Sequence, residues 1–149
     1  MPGSRIVFLD LGETLGEPRF DPSSELTGFD PYPFVPEVLA KMKAAPIGAR
    51  LGAISKTPPG ITTAKMKSIL SAAGIFGLFD PALLLYSSVE GVDKSTPEIF
   101  VRAASRAEVA PGRCIFCGEN ADEREVARLA GMKPSFHPLH VFHVLKQLD

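Results

Sequence analysis

The chain has 149 residues, 45% of them hydrophobic, and a formal net charge of −1 from 16 basic and 17 acidic residues. That supplies one well-buried domain over residues 1–149 and is short for two. Charges of both signs are interspersed without runs, which excludes an electrostatic footprint for nucleic acid or an anionic membrane; no stretch nears the roughly 18 apolar residues of a membrane span, and Asp10 interrupts any signal-peptide core, so the expected setting is the cytoplasm.

The first predicted element is a strand, RIVFLDL at 5–11, apolar up to Asp10. The Pro- and Gly-rich segment from Gly16 to Phe34 reads as an irregular flap, its prolines excluding a long helix or a central strand. Val35, Val38, Leu39 and Met42 then keep the spacing of a helix with one buried face. RLGAIS (50–55) is the second strand, and Met66, Ile69, Leu70 and Ala73 mark the next helix, stopped at Gly74. ALLLYS (82–87) is the third strand; Thr96 before Pro97 opens a helix carried by Ile99, Phe100, Ala103 and Ala107. CIFCG (114–118) is the fourth strand, after which Asn120 caps a helix from Ala121 to Ala130 that Gly131 ends. PSFH (134–137) is a weak fifth strand, and Val141, Leu145 and Leu148 line a closing helix.

Short, continuously apolar strands alternating with amphipathic helices demand parallel pairing and right-handed crossovers. The expected fold is therefore α/β, a doubly wound, Rossmann-like parallel sheet of about five strands with helices on both faces. Ligands of such sheets bind at the carboxyl ends of the strands. There the sequence gathers Asp10, then Ser55 with Lys56 and Thr57, then Gly118 and Glu119, while Lys94 stands just before a helix. A carboxylate ending a buried apolar strand is costly unless a metal or hydrogen bonds compensate it. The group describes a magnesium-assisted phosphate site: the cation and Lys94 neutralise phosphoryl oxygens, Ser55 and backbone N–H groups hydrogen-bond them, and Asp10 attacks.

Other candidates carry less. Cys114 and Cys117 have C-x-x-C spacing, yet residues three apart on a strand face opposite ways and cannot easily share a metal or a bridge. His137, His140 and His143 form H-x-x-H-x-x-H, but nothing in the sequence brings the thiols to them, and a structural or surface role is expected.

Four segments in order resemble the motifs of the haloacid dehalogenase-like (HAD) hydrolase superfamily. VFLDLGETL resembles the hhhhDxDxT motif, with Asp10 at the nucleophile and Thr14 at the threonine; GAISK resembles the second, with Ser55 as the phosphate-binding hydroxyl. KSTPEIF is similar to the lysine motif, through Lys94, and CIFCGENADEREVARLAGM to the acidic fourth motif. The resemblance implies a magnesium-dependent phosphohydrolase acting through an aspartyl-phosphate on Asp10, with Asp10, the Gly12 carbonyl and Glu119 at the cation.

It also exposes departures. Gly12 replaces the aspartate that serves the family's phosphatases as general acid and base, Glu119 and Glu123 stand for aspartates, and Lys56 stands where asparagine is frequent. These altered parts leave as the alternative a degenerate domain that binds a phosphorylated ligand or a protein partner without turnover; dehalogenation, a third reading, would want a halide cradle that the sequence does not declare. The family inserts cap domains after the first or third strand, and neither place has room for one here. The open mouth implies a bulky or carrier-bound phosphorylated substrate, or a partner subunit acting as lid.

Overall fold

The structure, a computed structural model, describes residues 5–148, so the ends of the expected 1–149 domain lie outside the described residues. Five strands form one parallel sheet: β1 (Ile6–Leu9), β4 (Arg50–Ser55), β5 (Leu84–Tyr86), β6 (Cys114–Cys117) and β7 (Lys133–Ser135), in the order β5-β4-β1-β6-β7. Val7 pairs with Leu51 on one side and Ile115 on the other, which makes β1 the central strand. The chain runs outward from β1 through β4 to β5, then crosses back to β6 and β7. The switch in direction falls between β1 and β6, where such sheets open a crevice at their carboxyl ends.

Both faces are covered, as continuously apolar strands require. Val7 and Leu9 point to one layer, packed by Val35, Leu39 and Met42 of α1 (Val35–Lys43), Met66, Ile69 and Leu70 of α2 (Thr63–Ala72), and Val141 and Leu145 of α6 (Pro138–Leu145). Ile6 and Phe8 point to the other, against Ile99, Phe100 and Ala103 of α4 (Glu98–Arg106) and Ala127 of α5 (Ala121–Leu129). Cys114 falls in the second layer and Cys117 in the first, so the thiols do lie on opposite faces. The Asn120 side chain accepts from Glu123 N and caps α5 as expected, whereas α4 starts at Glu98 behind Pro97 with no side-chain cap in place of the expected Thr96 start.

The segment expected to be an irregular flap is ordered. It forms an antiparallel hairpin, β2 (Gly16–Phe20) and β3 (Leu26–Pro31), with an irregularity at Arg19/Phe20. A two-stranded ribbon tolerates Pro18 because both its strands are edges. Leu26 and Phe29 anchor the ribbon in the α2-side core, and Asp21 Oδ1 accepts from Ser23 N and Glu25 N to make the turn. Gly16 is required by close approach: a Cβ there would lie 2.2 Å from the Asp30 carbonyl oxygen. Between β5 and α4 stand only a one-turn helix, α3 (Ser87–Glu90), and a loop. No separate cap domain is present among the described residues. Nor is any helix among them long and apolar enough to cross a membrane.

Candidate active site

Asp10 follows β1 directly, and its N–H donates to Cys117 O at 2.9 Å, which stitches the carboxyl ends of β1 and β6 together at the switch point. The residue is 8% exposed. Oδ1 accepts from Leu11 N at 2.9 Å and from Lys94 Nζ at 2.7 Å. Lys94 is buried as well, and its ammonium also donates to Ile54 O at 3.1 Å. Glu123 Oε1 lies 3.0 Å from the same nitrogen, an ion pair without hydrogen-bond geometry. A buried ammonium with two carboxylates and a carbonyl is electrostatically compensated. Burial pushes the Asp10 carboxyl above its ordinary value; the Lys94 charge and hydrogen bond pull it back only in part.

The turn after Asp10 ties the hairpin to the acidic loop after β6. Thr14 Oγ1, buried, accepts from Glu119 N at 3.0 Å, and Arg124 Nη1 donates to the carbonyls of Gly118 and Glu119, each at 2.8 Å. Glu13 sits at φ 64°, in the left-handed region that costs a non-glycine residue about 1–2 kcal/mol. Its N–H bonds Gly16 O at 2.7 Å and closes the turn.

Negative charge is crowded here. The Glu119 carboxyl is held above its ordinary value by burial first and then by Glu13, Asp10 and Glu123. An all-oxygen donor set of two carboxylates and a carbonyl, in excess negative charge, suits a hard divalent cation of the magnesium type. Among the described residues no three His, Cys, Asp or Glu side chains converge into a preformed cage. Magnesium does not need one, since it retains waters and takes only one or two carboxylates beside substrate oxygens. Asp10, Glu119 and the Gly12 carbonyl fit that demand.

Ser55 ends β4 beside β1 and is buried. Its hydroxyl makes only a long 3.5 Å contact to Lys56 O, so it is available to a ligand. Thr57 fixes the loop that carries it: Thr57 N donates to Ser87 Oγ at 2.9 Å, and Thr57 Oγ1 meets Ser88 Oγ at 2.6 Å. The exposed Lys56 stands between two cavities. One, about 300 Å³, is lined by Lys94, Glu123, Asp93 and Asp122; the other, about 90 Å³, lies under the hairpin and reaches Gly12 and Ser55.

Asp10, Lys94, Ser55, Lys56, Gly12 and Glu119 thus come to one edge of the sheet. Three supporting residues join them, Thr14 and Glu123 at motif positions that the resemblance named and Arg124, which the sequence did not single out. Thr14 carries the Glu119 backbone, Arg124 holds the same loop, and Glu123 faces Lys94. The cysteines and histidines stand apart from this chemistry. Burial pushes both thiols up to about 12. His137 accepts from Leu139 N at the start of α6, and His140 Nδ1 meets Ser135 Oγ at 2.9 Å.

Comparison with known proteins agrees with this fold. The profile of the haloacid dehalogenase-like hydrolase family matches residues 5–131. No curated protein matches. Among solved structures, an uncharacterised protein from Listeria monocytogenes serotype 4b aligns with TM-score 0.77 at 20% identity, covering 96% of this chain and 97% of that one. A HAD-superfamily hydrolase of subfamily IA, variant 1, from Geobacter sulfurreducens PCA aligns with TM-score 0.68 at 12% identity over 96% and 97%. An L-2-haloacid dehalogenase aligns with TM-score 0.61 at 24% identity, over 73% of this chain and 42% of its own. At these identities the structural likeness is one of fold.

Proposed function

We propose, since the chain belongs to the haloacid dehalogenase-like hydrolase family, that it is a magnesium-dependent phosphohydrolase acting through an aspartyl-phosphate on Asp10 and favouring leaving groups that need no proton. The observation that carries the reading is the buried Asp10–Lys94 pair at the switch point, beside a crowd of carboxylates that calls for a cation. Lys94 and Leu11 N hold Oδ1, so Oδ2 attacks phosphorus. The bond to the leaving oxygen breaks and its electron pair departs with the leaving group. Ser55 donates a hydrogen bond to a phosphoryl oxygen. Water then attacks phosphorus, the bond to Oδ2 breaks, inorganic phosphate leaves, and the water's proton passes to solvent. When bound, magnesium supplies charge neutralisation of the phosphoryl oxygens.

Gly12 offers no carboxylate to protonate the leaving group or to deprotonate the water. An acyl phosphate releases a carboxylate, which departs unprotonated at neutral pH; an alkyl phosphate must release an alcohol and suffers most. The same gap favours a second reading, displacement of halide from carbon by Asp10, because halide also leaves as an anion. Against it, the crowded carboxylates repel a carboxylate-bearing haloacid unless a cation intervenes.

The test is a panel of acyl, aryl and alkyl phosphates and 2-haloalkanoates in magnesium buffer, with phosphate and halide release measured. Acyl phosphates should be fastest and alkyl phosphates slowest. Halide release without phosphate release would establish the second reading, and neither would leave a ligand- or partner-binding domain.

A further inference from the structure

The cavity under the hairpin is chemically lopsided. Its lining includes Gly12 and Ser55, two residues of the proposed phosphoryl site. Its walls are mostly apolar, Pro18, Phe20, Leu26 and Phe29 from the hairpin and Met66 and Ile69 from α2, with Lys56 and Thr57 beside Ser55. The missing side chain at residue 12 is part of that space, because a Cβ on Gly12 would point toward Pro18 Cδ at 3.9 Å. Leu26 and Pro58 also line a larger recess of about 550 Å³, whose other walls include Ser23, Ser24, Thr62 and Lys65. The two recesses are therefore neighbours that share Leu26 and Pro58, the outer one with more polar walls. On the opposite side of Lys56, the cleft of about 300 Å³ sets the charged Asp93, Asp122 and Glu123 beside Val126, so a ligand there meets carboxylates.

Resting on the phosphohydrolase reading, we infer that the substrate bears its phosphoryl group on an unbranched apolar chain seated under the hairpin between Phe20, Leu26 and Met66. A cavity of about 90 Å³ takes a short chain of a few carbons, being several times the roughly 10–15 Å³ that a single water needs. The chain's first atoms meet Gly12, and its far end reaches the polar recess past Leu26 and Pro58. A sugar or nucleoside in the same place would strand hydroxyls against Phe20, Phe29 and Ile69 without partners, which is costly. Specificity is thus assigned to the hairpin, which stands where no cap domain does.

Alkylphosphonates test this without requiring turnover. Affinities of methyl-, ethyl-, propyl-, butyl- and hexylphosphonate would be measured by calorimetry in magnesium buffer on the unaltered protein, beside phosphate release from acetyl phosphate. Affinity should rise roughly fourfold per methylene up to about butyl, the gain expected of a buried CH₂, and then level off in the polar recess. Phe20→Ala, at a wall position 53% exposed, should cut the butyl-to-methyl ratio several-fold. Binding with no dependence on chain length overturns this inference and leaves the phosphohydrolase reading standing. Failure of every phosphonate to bind, together with no phosphate release, overturns both.

Discussion

A Cβ built on Gly12 finds nothing nearer than Pro18 Cδ at 3.9 Å, and the residue lies outside the left-handed region, so an aspartate fits there without backbone strain. The chemistry lost at this position can therefore be restored without refolding the turn. A missing general acid costs about 10² to 10⁴ in rate. Gly12→Asp is expected to raise alkyl phosphate turnover at least about 10-fold while changing acyl phosphate turnover far less, and steady-state kinetics on the two substrate types check it. No gain on any ester, in a folded protein, would remove Asp10 from the role of a partnerless nucleophile. Asp10 was legible in the sequence because an acid closing an apolar strand is unusual enough to need a reason, and Lys94 through its company with the other motif positions, since alone it reads as a loop lysine. The role of Glu123 was not legible. Its position after the Asn120 cap matches an ordinary capping box, in which the glutamate turns back to the cap. Only the crossing of α5 over the end of β6 shows that it faces Lys94 instead.

The loop that delivers Lys94 is anchored by an ion-pair clamp between α3 and α4. Arg106 donates to both Glu90 carboxylate oxygens, and Arg102 Nη1 donates to Oε1 at 3.0 Å and to the Glu90 carbonyl at 2.9 Å. Burial alone would raise the Glu90 carboxyl, but the Arg106 and Arg102 guanidiniums outweigh it and hold it below its ordinary value. A carboxylate depressed in this way stabilises the fold above its unfolded pKa, and that stability is lost as pH falls through the folded value. Glu90→Gln should thus cost about 1–2 kcal/mol at neutral pH, discounted for the partly exposed arginines. Urea melts across pH should show the difference from the unaltered protein shrinking through the acidic range; a constant difference would assign the loss to packing. The hairpin is the element that sequence reasoning under-read. Its prolines argued against strands, yet Leu26 and Phe29 enter the core beside exposed Thr27 and Asp30, and Asp21–Glu25 is a turn. Alternation over so short a ribbon is a weak signal, and the proline penalty applies to paired interior strands rather than edges.

Across the whole molecule, the architecture was legible because short apolar strands and one-sided helices leave a parallel, doubly wound sheet as the way to bury both. That topology brings Asp10, Ser55, Lys94 and Glu119 to one edge although 109 positions separate the first from the last. What the sequence could not convey was the shape of the space between them. The division into a passage walled by the hairpin and a cleft bearing carboxylates depends on where the hairpin lies against α2. Asp10, as the proposed nucleophile, lacks an acid–base partner, and water attacking its phosphoryl adduct would lack a base as well. The most direct measurement is acid-quenched labelling with radiolabelled acetyl phosphate in magnesium buffer, followed by peptide mapping and a chase. A long-lived, base-labile label on the Asp10 peptide, absent in Asp10→Asn and shortened in Gly12→Asp, is the predicted result. Label that persists in a folded Asp10→Asn protein, or phosphate release that continues there undiminished, would contradict it.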